Sequence, residues 1–254
     1  MQKFVRFEKD GKTRYGLLKE QDICVLEGDI FAEYTETELT YKLQDVRLLA
    51  PCEPSKAVCV GLNYRSHAAE MNMPLPEEPI LFLKPSTSVV AAQENIIYWP
   101  GISRLDYEAE LAVVIGKKAH NVPEEEALNY VLGYTAGNDV TARDLQKKDG
   151  QWTRAKGFDT FLPLGPVIVT GIDPSNLSVQ SYLNGELRQD GNTADLIFPV
   201  PYLVSYISRI MTLLPGDVIL TGTPAGIGPM QPGDTIEVRL EHIGSLINKV
   251  GKCN

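Results

Sequence analysis

Asp106-Tyr107-Glu108-Ala109-Glu110-Leu111-Ala112-Val113-Val114-Ile115-Gly116 joins acidic residues to an unbroken apolar run. A run of this kind, closed by glycine, reads as a buried strand. On a regular strand residues 106, 108 and 110 share a face, with successive members about 6.6 to 6.8 Å apart. Glu108 and Glu110 then point the same way beside a segment that asks for burial. Two carboxylates in a poorly solvated place repel each other and resist ionising. A hard divalent cation removes both costs, and Mg²⁺ accepts carboxylates while keeping waters that a substrate can displace. A half-exposed strand with its acids facing water fits the same pattern.

Downstream, Gly133 to Gln146 runs from a strand-like stretch into the polar tip Asn138-Asp139-Val140-Thr141-Ala142-Arg143-Asp144. Asp139 is a candidate third ligand and Arg143 a candidate carboxylate clamp. An ordinary Asn-Asp turn with a surface ion pair reads identically. Lys156, set between Ala155 and Gly157 with Phe158 nearby, either meets a substrate oxygen or faces solvent. Asp217 to Pro229 is a strand entering the loop Thr221-Gly222-Thr223-Pro224, whose N–H groups and hydroxyls suit an anionic carboxylate; a plain tight turn is the alternative. It matches neither G-x-G-x-x-G nor a P-loop, which argues against nucleotide binding.

The rest of the chain supplies short strands and few helices. Phe4 to Phe7 and Arg14 to Leu18 flank the hairpin signal Asp10-Gly11, and Asp22 to Leu26 follows. We expect a small β domain over residues 1–50 and the remainder, 51–254, as a second, catalytic domain. Further strands are expected at 111–115, 167–170, 218–221 and 235–240. One helix is expected from Val122-Pro123-Glu124 to about Tyr130, and another over 202–213, before Pro215-Gly216. Without regular strand–helix alternation the expected class is α+β, dominated by β structure.

A net charge of −9 with no Lys/Arg run leaves nucleic acid no electrostatic footprint. No segment has the ~18 consecutive apolar residues of a membrane helix, and Met1 to Arg6 lacks the apolar core of a signal peptide. A cytoplasmic location is expected. The cysteines form no C-x-x-C pair, and Cys59, inside Ala57-Val58-Cys59-Val60, reads as a core thiol. With His67, His120 and His242 far apart in sequence, zinc is disfavoured and a metal would need oxygen ligands.

Taken in order, Gly61-Leu62-Asn63-Tyr64, Asp106 to Gly116, Asp139 to Asp144, Arg154 to Asp159 and Thr221 to Pro224 resemble the fumarylacetoacetate hydrolase family. The similarity covers roughly residues 50 to 250 and points to its acylpyruvase and 2-hydroxyhepta-2,4-diene-1,7-dioate isomerase-like branch. The resemblance implies a mixed β-sandwich roll, Mg²⁺ or Mn²⁺, small 2-oxo acid substrates and a homodimer. It implies Glu108, Glu110 and Asp139 as metal ligands, and Arg143, Gln146, Lys156 and Thr223 as residues that hold substrate or its oxyanion.

In Asn63-Tyr64-Arg65-Ser66-His67-Ala68-Ala69-Glu70, Ser66 reads as a helix N-cap, placing His67 and Glu70 on one face. That spacing lets a carboxylate orient an imidazole as general base, and similar His-Glu pairs sit on a lid in the family's hydrolytic members. Residues 63 to 76 are therefore expected to close over ligand. The reaction expected is C–C hydrolysis of an acylpyruvate, aided by Lys156 and the Thr223 loop. Isomerisation of a diene-dioate and decarboxylation of oxaloacetate share the same enolate. A metal-binding protein with a dead site is the rival outside enzymes.

Overall fold

The structure, a computed structural model, describes residues 1–253; Asn254, the last residue of the expected second domain, lies outside them. Strand Ala109–Ile115 is buried at every position. It lies inside a 12-stranded sheet, antiparallel to Val131–Asn138 on one side and to Val218–Leu220 on the other. Its side chains serve two cores by parity. Leu111, Val113 and Ile115 join one cluster, while Ala112 and Val114 join another on the opposite face. A strand covered on both faces needs a continuous apolar sequence, and this one has it.

The first face packs against a five-stranded sheet that contributes Val179, Val238, Leu240 and Leu246. Helix Val200–Ile210 adds Leu203, Val204 and Ile207 to the same core. Truncating one such side chain to alanine costs about 2 to 5 kcal/mol. The fold is thus α+β and β-dominated, two sheets packed face to face with few helices.

Beyond Val131–Asn138 the large sheet continues through Leu162–Val169 to the N-terminal strands, with Phe4 opposite Ile168. Lys3–Lys9, Lys12–Lys19, Asp22–Gly28 and Tyr34–Lys42 then follow as a meander. The first hairpin turns at Asp10 and Gly11, with φ of 53° and 71°, the left-handed pair that such a tight turn requires. Strand Tyr34–Lys42 was not expected; its sequence YTETELTYK is polar, and only pairing along Asp22–Gly28 reveals it.

Two helical expectations shift. The segment after Pro123 is a 3₁₀ helix, Glu124–Tyr130. The helix expected over 202–213 spans Val200–Ile210 and stops early because Met211 turns extended and Leu213 bridges to Ala119. No helix among the described residues is long and apolar enough to cross a membrane.

Candidate metal centre and its cavity

Glu108 is where the chain changes sheets. Leu105–Tyr107 pairs with Thr141–Ala142 and Gly228–Met230 in a three-stranded sheet, whereas Ala109 begins the strand of the large one. Between them, the Glu108 N–H donates to Asn138 Oδ1 at 3.0 Å and its carbonyl accepts from Asp139 N at 2.9 Å. The break bends what the sequence suggested was one regular strand. Instead of lying parallel, Glu108, Glu110 and Asp139 each bring a carboxylate oxygen to within 4.8 Å of the others. Asp139 arrives there because Asn138 is the residue opposite Ala109. The three are 5%, 2% and 1% exposed, which excludes the solvated-strand reading.

Three cations face this cluster. Lys156 Nζ donates to Glu108 Oε2 at 2.8 Å and to Asp139 Oδ2 at 2.7 Å. Lys84 pairs with Asp139 Oδ1 and donates to Val140 O at 3.0 Å. Arg143 pairs with Glu108, and its Nε donates to Asp106 Oδ2 at 2.9 Å. Burial pushes Glu108 upward, but Lys156 and Arg143 outweigh it and hold this carboxyl well below its usual range. Glu110 goes the other way: burial first, then Asp139 and Glu108, raise it well above that range. Burial would lower Lys156, yet Asp139 and Glu108 keep its ammonium above its ordinary value. Buried carboxylate oxygens without sulfur suit a hard cation such as Mg²⁺ or Mn²⁺.

Lys84 and Asp106 were not singled out as functional from the sequence. Lys84 ends the apolar strand Ile80–Lys84, just before Pro85, and is 1% exposed. A lysine almost never buries without a partner, and here Asp139 is that partner, which the position of Lys84 at a strand end before proline does not reveal. Asp106 is fully buried and also receives Arg104 Nε at 2.8 Å.

The loop after Val218–Leu220 serves the protein's own carboxylate. Gly222 N donates to Glu110 Oε2 at 2.7 Å, and Thr221 Oγ1 donates to Leu111 O at 3.0 Å. Thr223 lines the cavity, but its hydroxyl donates to Ala109 O at 2.9 Å and accepts from Gln189 Nε2 at 2.7 Å. The cradle expected for a substrate carboxylate is thus largely spent on Glu110 and its strand. Gly222 has φ +100°, and a Cβ there would stand 2.8 Å from Asn63 Cβ. Only glycine lets this N–H reach Glu110. Asn63 holds the loop from the other side, donating to Thr221 O at 2.7 Å.

Helix Arg65–Glu70 carries the histidine. Ser66 is not its N-cap, because that position falls to Tyr64; Ser66 N–H instead donates to Asp195 Oδ2 at 2.9 Å. His67 Nδ1 and Glu70 Oε2 are 2.9 Å apart, and Glu70 Oε1 accepts from Gly226 N at 2.9 Å. His67, Arg143, Gln146, Lys156 and Thr223 line one cavity of about 260 Å³ with the three acids. Gln146 Oε1 accepts from Arg143 Nη1 at 2.7 Å. Glu70 stands behind His67. Apolar walls come from Phe82 and Trp152, ring centroids 5.3 Å apart, with Met71 and Met73 at the rim.

Residues 56–251 match the family described as "Fumarylacetoacetate (FAA) hydrolase C-terminal". The chain belongs to the fumarylacetoacetate hydrolase family. Residues 2–51 match a second description, "Rv2993c-like, N-terminal". An uncharacterised protein of Archaeoglobus fulgidus is 59% identical over 213 residues, 84% of this chain and 85% of its own. The mitochondrial oxaloacetate tautomerase FAHD2B of Bos taurus is 43% identical over 219 residues, 81% of this chain and 70% of that one. The crystal structure of 2-hydroxyhepta-2,4-diene-1,7-dioate isomerase from Mycobacterium marinum superposes with a TM-score of 0.93 at 42% identity, covering 99% of each chain.

Proposed function

We propose that this chain is an enzyme dependent on Mg²⁺ or Mn²⁺ that hydrolyses a C–C bond in acylpyruvate-type 2,4-dioxo acids. The observation that carries this reading is the His67–Glu70 pair, 2.9 Å apart, with His67 on the cavity that holds Glu108, Glu110 and Asp139. A divalent cation held by those carboxylates would polarise the 2-oxo group and stabilise the negative charge that builds there.

The chain's own residues do the rest. A proton on His67 Nδ1 is directed at Glu70, which leaves Nε2 basic and able to take a proton from water. That water adds to the carbonyl distal to the carboxylate. The C–C bond breaks with its electron pair passing to the pyruvyl fragment, which takes up a proton to give pyruvate. The other product is the carboxylic acid. Lys156 Nζ, buried on the lining and bonded to Glu108 and Asp139, puts a fixed positive charge beside the site where the oxyanion develops.

A second reading is isomerisation or tautomerisation of a 2-oxo diacid, with the same dyad moving a proton and no water added. It draws on relatives at 42 and 43% identity that carry isomerase and tautomerase names. Turnover of an acylpyruvate, oxaloacetate and a muconate-type diene-dioate, with Mg²⁺ and then EDTA, separates the readings. Metal-dependent pyruvate release from the acylpyruvate supports hydrolysis. Isomerisation alone supports the second reading, and no turnover at saturating Mg²⁺ supports a dead site.

A further inference from the structure

Helix Arg143–Asp149 presents Arg143, Gln146 and Lys147 to the cavity, at spacings i, i+3 and i+4. The two cations it turns to the cavity are used very differently. Arg143 is buried and spent on Asp106, Glu108 and Gln146. Lys147 is exposed at the mouth and makes no hydrogen bond or ion pair with any described residue. Lys156, the remaining cation on the lining, is held by Glu108 and Asp139. The same lining carries the apolar side chains Phe82, Trp152, Met71 and Met73.

We infer that Lys147 is a specificity-determining residue that selects substrates with a second carboxylate at the end remote from the 2-oxo acid. The inference rests on the reading of the site as one for 2-oxo acids. An unpaired ammonium on the lining of a cavity with apolar walls offers a charge-assisted contact to a distal carboxylate and nothing to a methyl group. Residues four apart on a helix are about 5 to 6 Å apart at Cβ, which puts Lys147 one turn from the Arg143 that contacts Glu108 and within reach of the far end of a diacid of about five to seven carbons bound at the acids. An alkyl-tailed acid of that length would instead leave its tail against a hydrated ammonium.

The test compares 2-oxoadipate with 2-oxoheptanoate, where an ethyl group replaces the distal carboxylate, by calorimetry with saturating Mg²⁺. Neither saturated probe has a C–C bond this reaction cleaves, so the readout is affinity. Wild-type protein should prefer the diacid by about 3- to 30-fold, between an exposed and a desolvated ion pair. Lys147→Met should bring the ratio towards parity, Lys147→Glu should invert it, and Lys147→Arg should keep it. An unchanged ratio in Lys147→Met overturns the inference. Oxalate, too short to reach the mouth, is titrated into wild-type protein in parallel. If it binds with Mg²⁺ while the ratio ignores Lys147, only the inference fails. If it does not bind, the 2-oxo acid reading fails and the inference falls with it.

Discussion

Lys84 forms an ion pair with Asp139 of the cavity lining, with side-chain exposures of 0% and 1%. The lysine comes from the edge strand Ile80–Lys84 and the aspartate from the end of Val131–Asn138, so the pair ties the site to an outer strand of the large sheet.

Breaking a buried pair by removing one partner costs about 3 to 5 kcal/mol, because the remaining charge is left without compensation. Lys156 also reaches Asp139, which places Lys84→Met towards the lower end of that range. Thermal unfolding in EDTA should show the loss, and Mg²⁺ should raise the midpoint of Lys84→Met more than that of wild type. A variant as stable as wild type in EDTA would contradict the structural role given to this lysine.

Glu110 makes the metal-free protein sensitive to pH. Below the ordinary carboxyl value of 4.5 it is neutral in folded and unfolded chains alike and costs nothing. As pH rises from there through its raised value, the folded chain retains a proton that the unfolded chain has lost, and this contribution to stability disappears. Glu110→Gln has no such charge. Across pH 4.5 to 7.5, a window opening at that 4.5, its denaturation midpoint in EDTA should fall less than that of wild type. Parallel pH profiles would show that Glu110 is not destabilised by burial and its acidic neighbours.

The dyad predicts a division of labour. His67→Ala should keep oxalate affinity nearly intact yet lower acylpyruvate hydrolysis by ~10²- to 10⁴-fold, the usual worth of a positioned base. Decarboxylation of oxaloacetate needs no activated water and should suffer less. Glu70→Gln should be milder, since it removes the charge that orients the imidazole and leaves the imidazole. Steady-state rates at saturating Mg²⁺ decide it: full hydrolysis by His67→Ala would require another base.

Closure over ligand should be confined to the segment after the helix. Arg65 Nη1 donates to Leu196 O at 2.8 Å, and Asn63 N–H and O groups engage Phe198 and Ile197, so residues 63 to 66 are anchored. Met71 and Met73, on the cavity lining, stand 39% and 49% exposed, and Leu75 beyond them 52%. Amide exchange should therefore slow on adding oxalate with Mg²⁺ mainly in residues 71 to 79. Identical exchange with and without oxalate would count against a lid.

What the sequence made legible was local and periodic. The apolar run 111–115, the Asp10-Gly11 turn and helix Val200–Ile210 each carry a pattern with one physical solution. The acids of the centre were legible as candidates, since carboxylates beside an apolar run need a reason to be there. Their convergence was not, because it depends on the chain leaving one sheet for another at Glu108 and on Asn138 lying opposite Ala109. The same holds for the Thr221 to Pro224 loop. Its composition announced a cradle, but only the fold shows that Glu110 occupies it. Lys84 escaped notice because one lysine before a proline looks like any surface lysine until its partner is known.

The most direct test of the account is a calorimetric titration of Mg²⁺ into wild-type protein and into Glu108→Gln, Glu110→Gln and Asp139→Asn. Hard cations bind through charged oxygens, so each substitution should abolish measurable binding while circular dichroism reports an intact fold. Wild-type Mg²⁺ affinity in the three variants would remove the metal centre, and with it the chemistry proposed for this cavity.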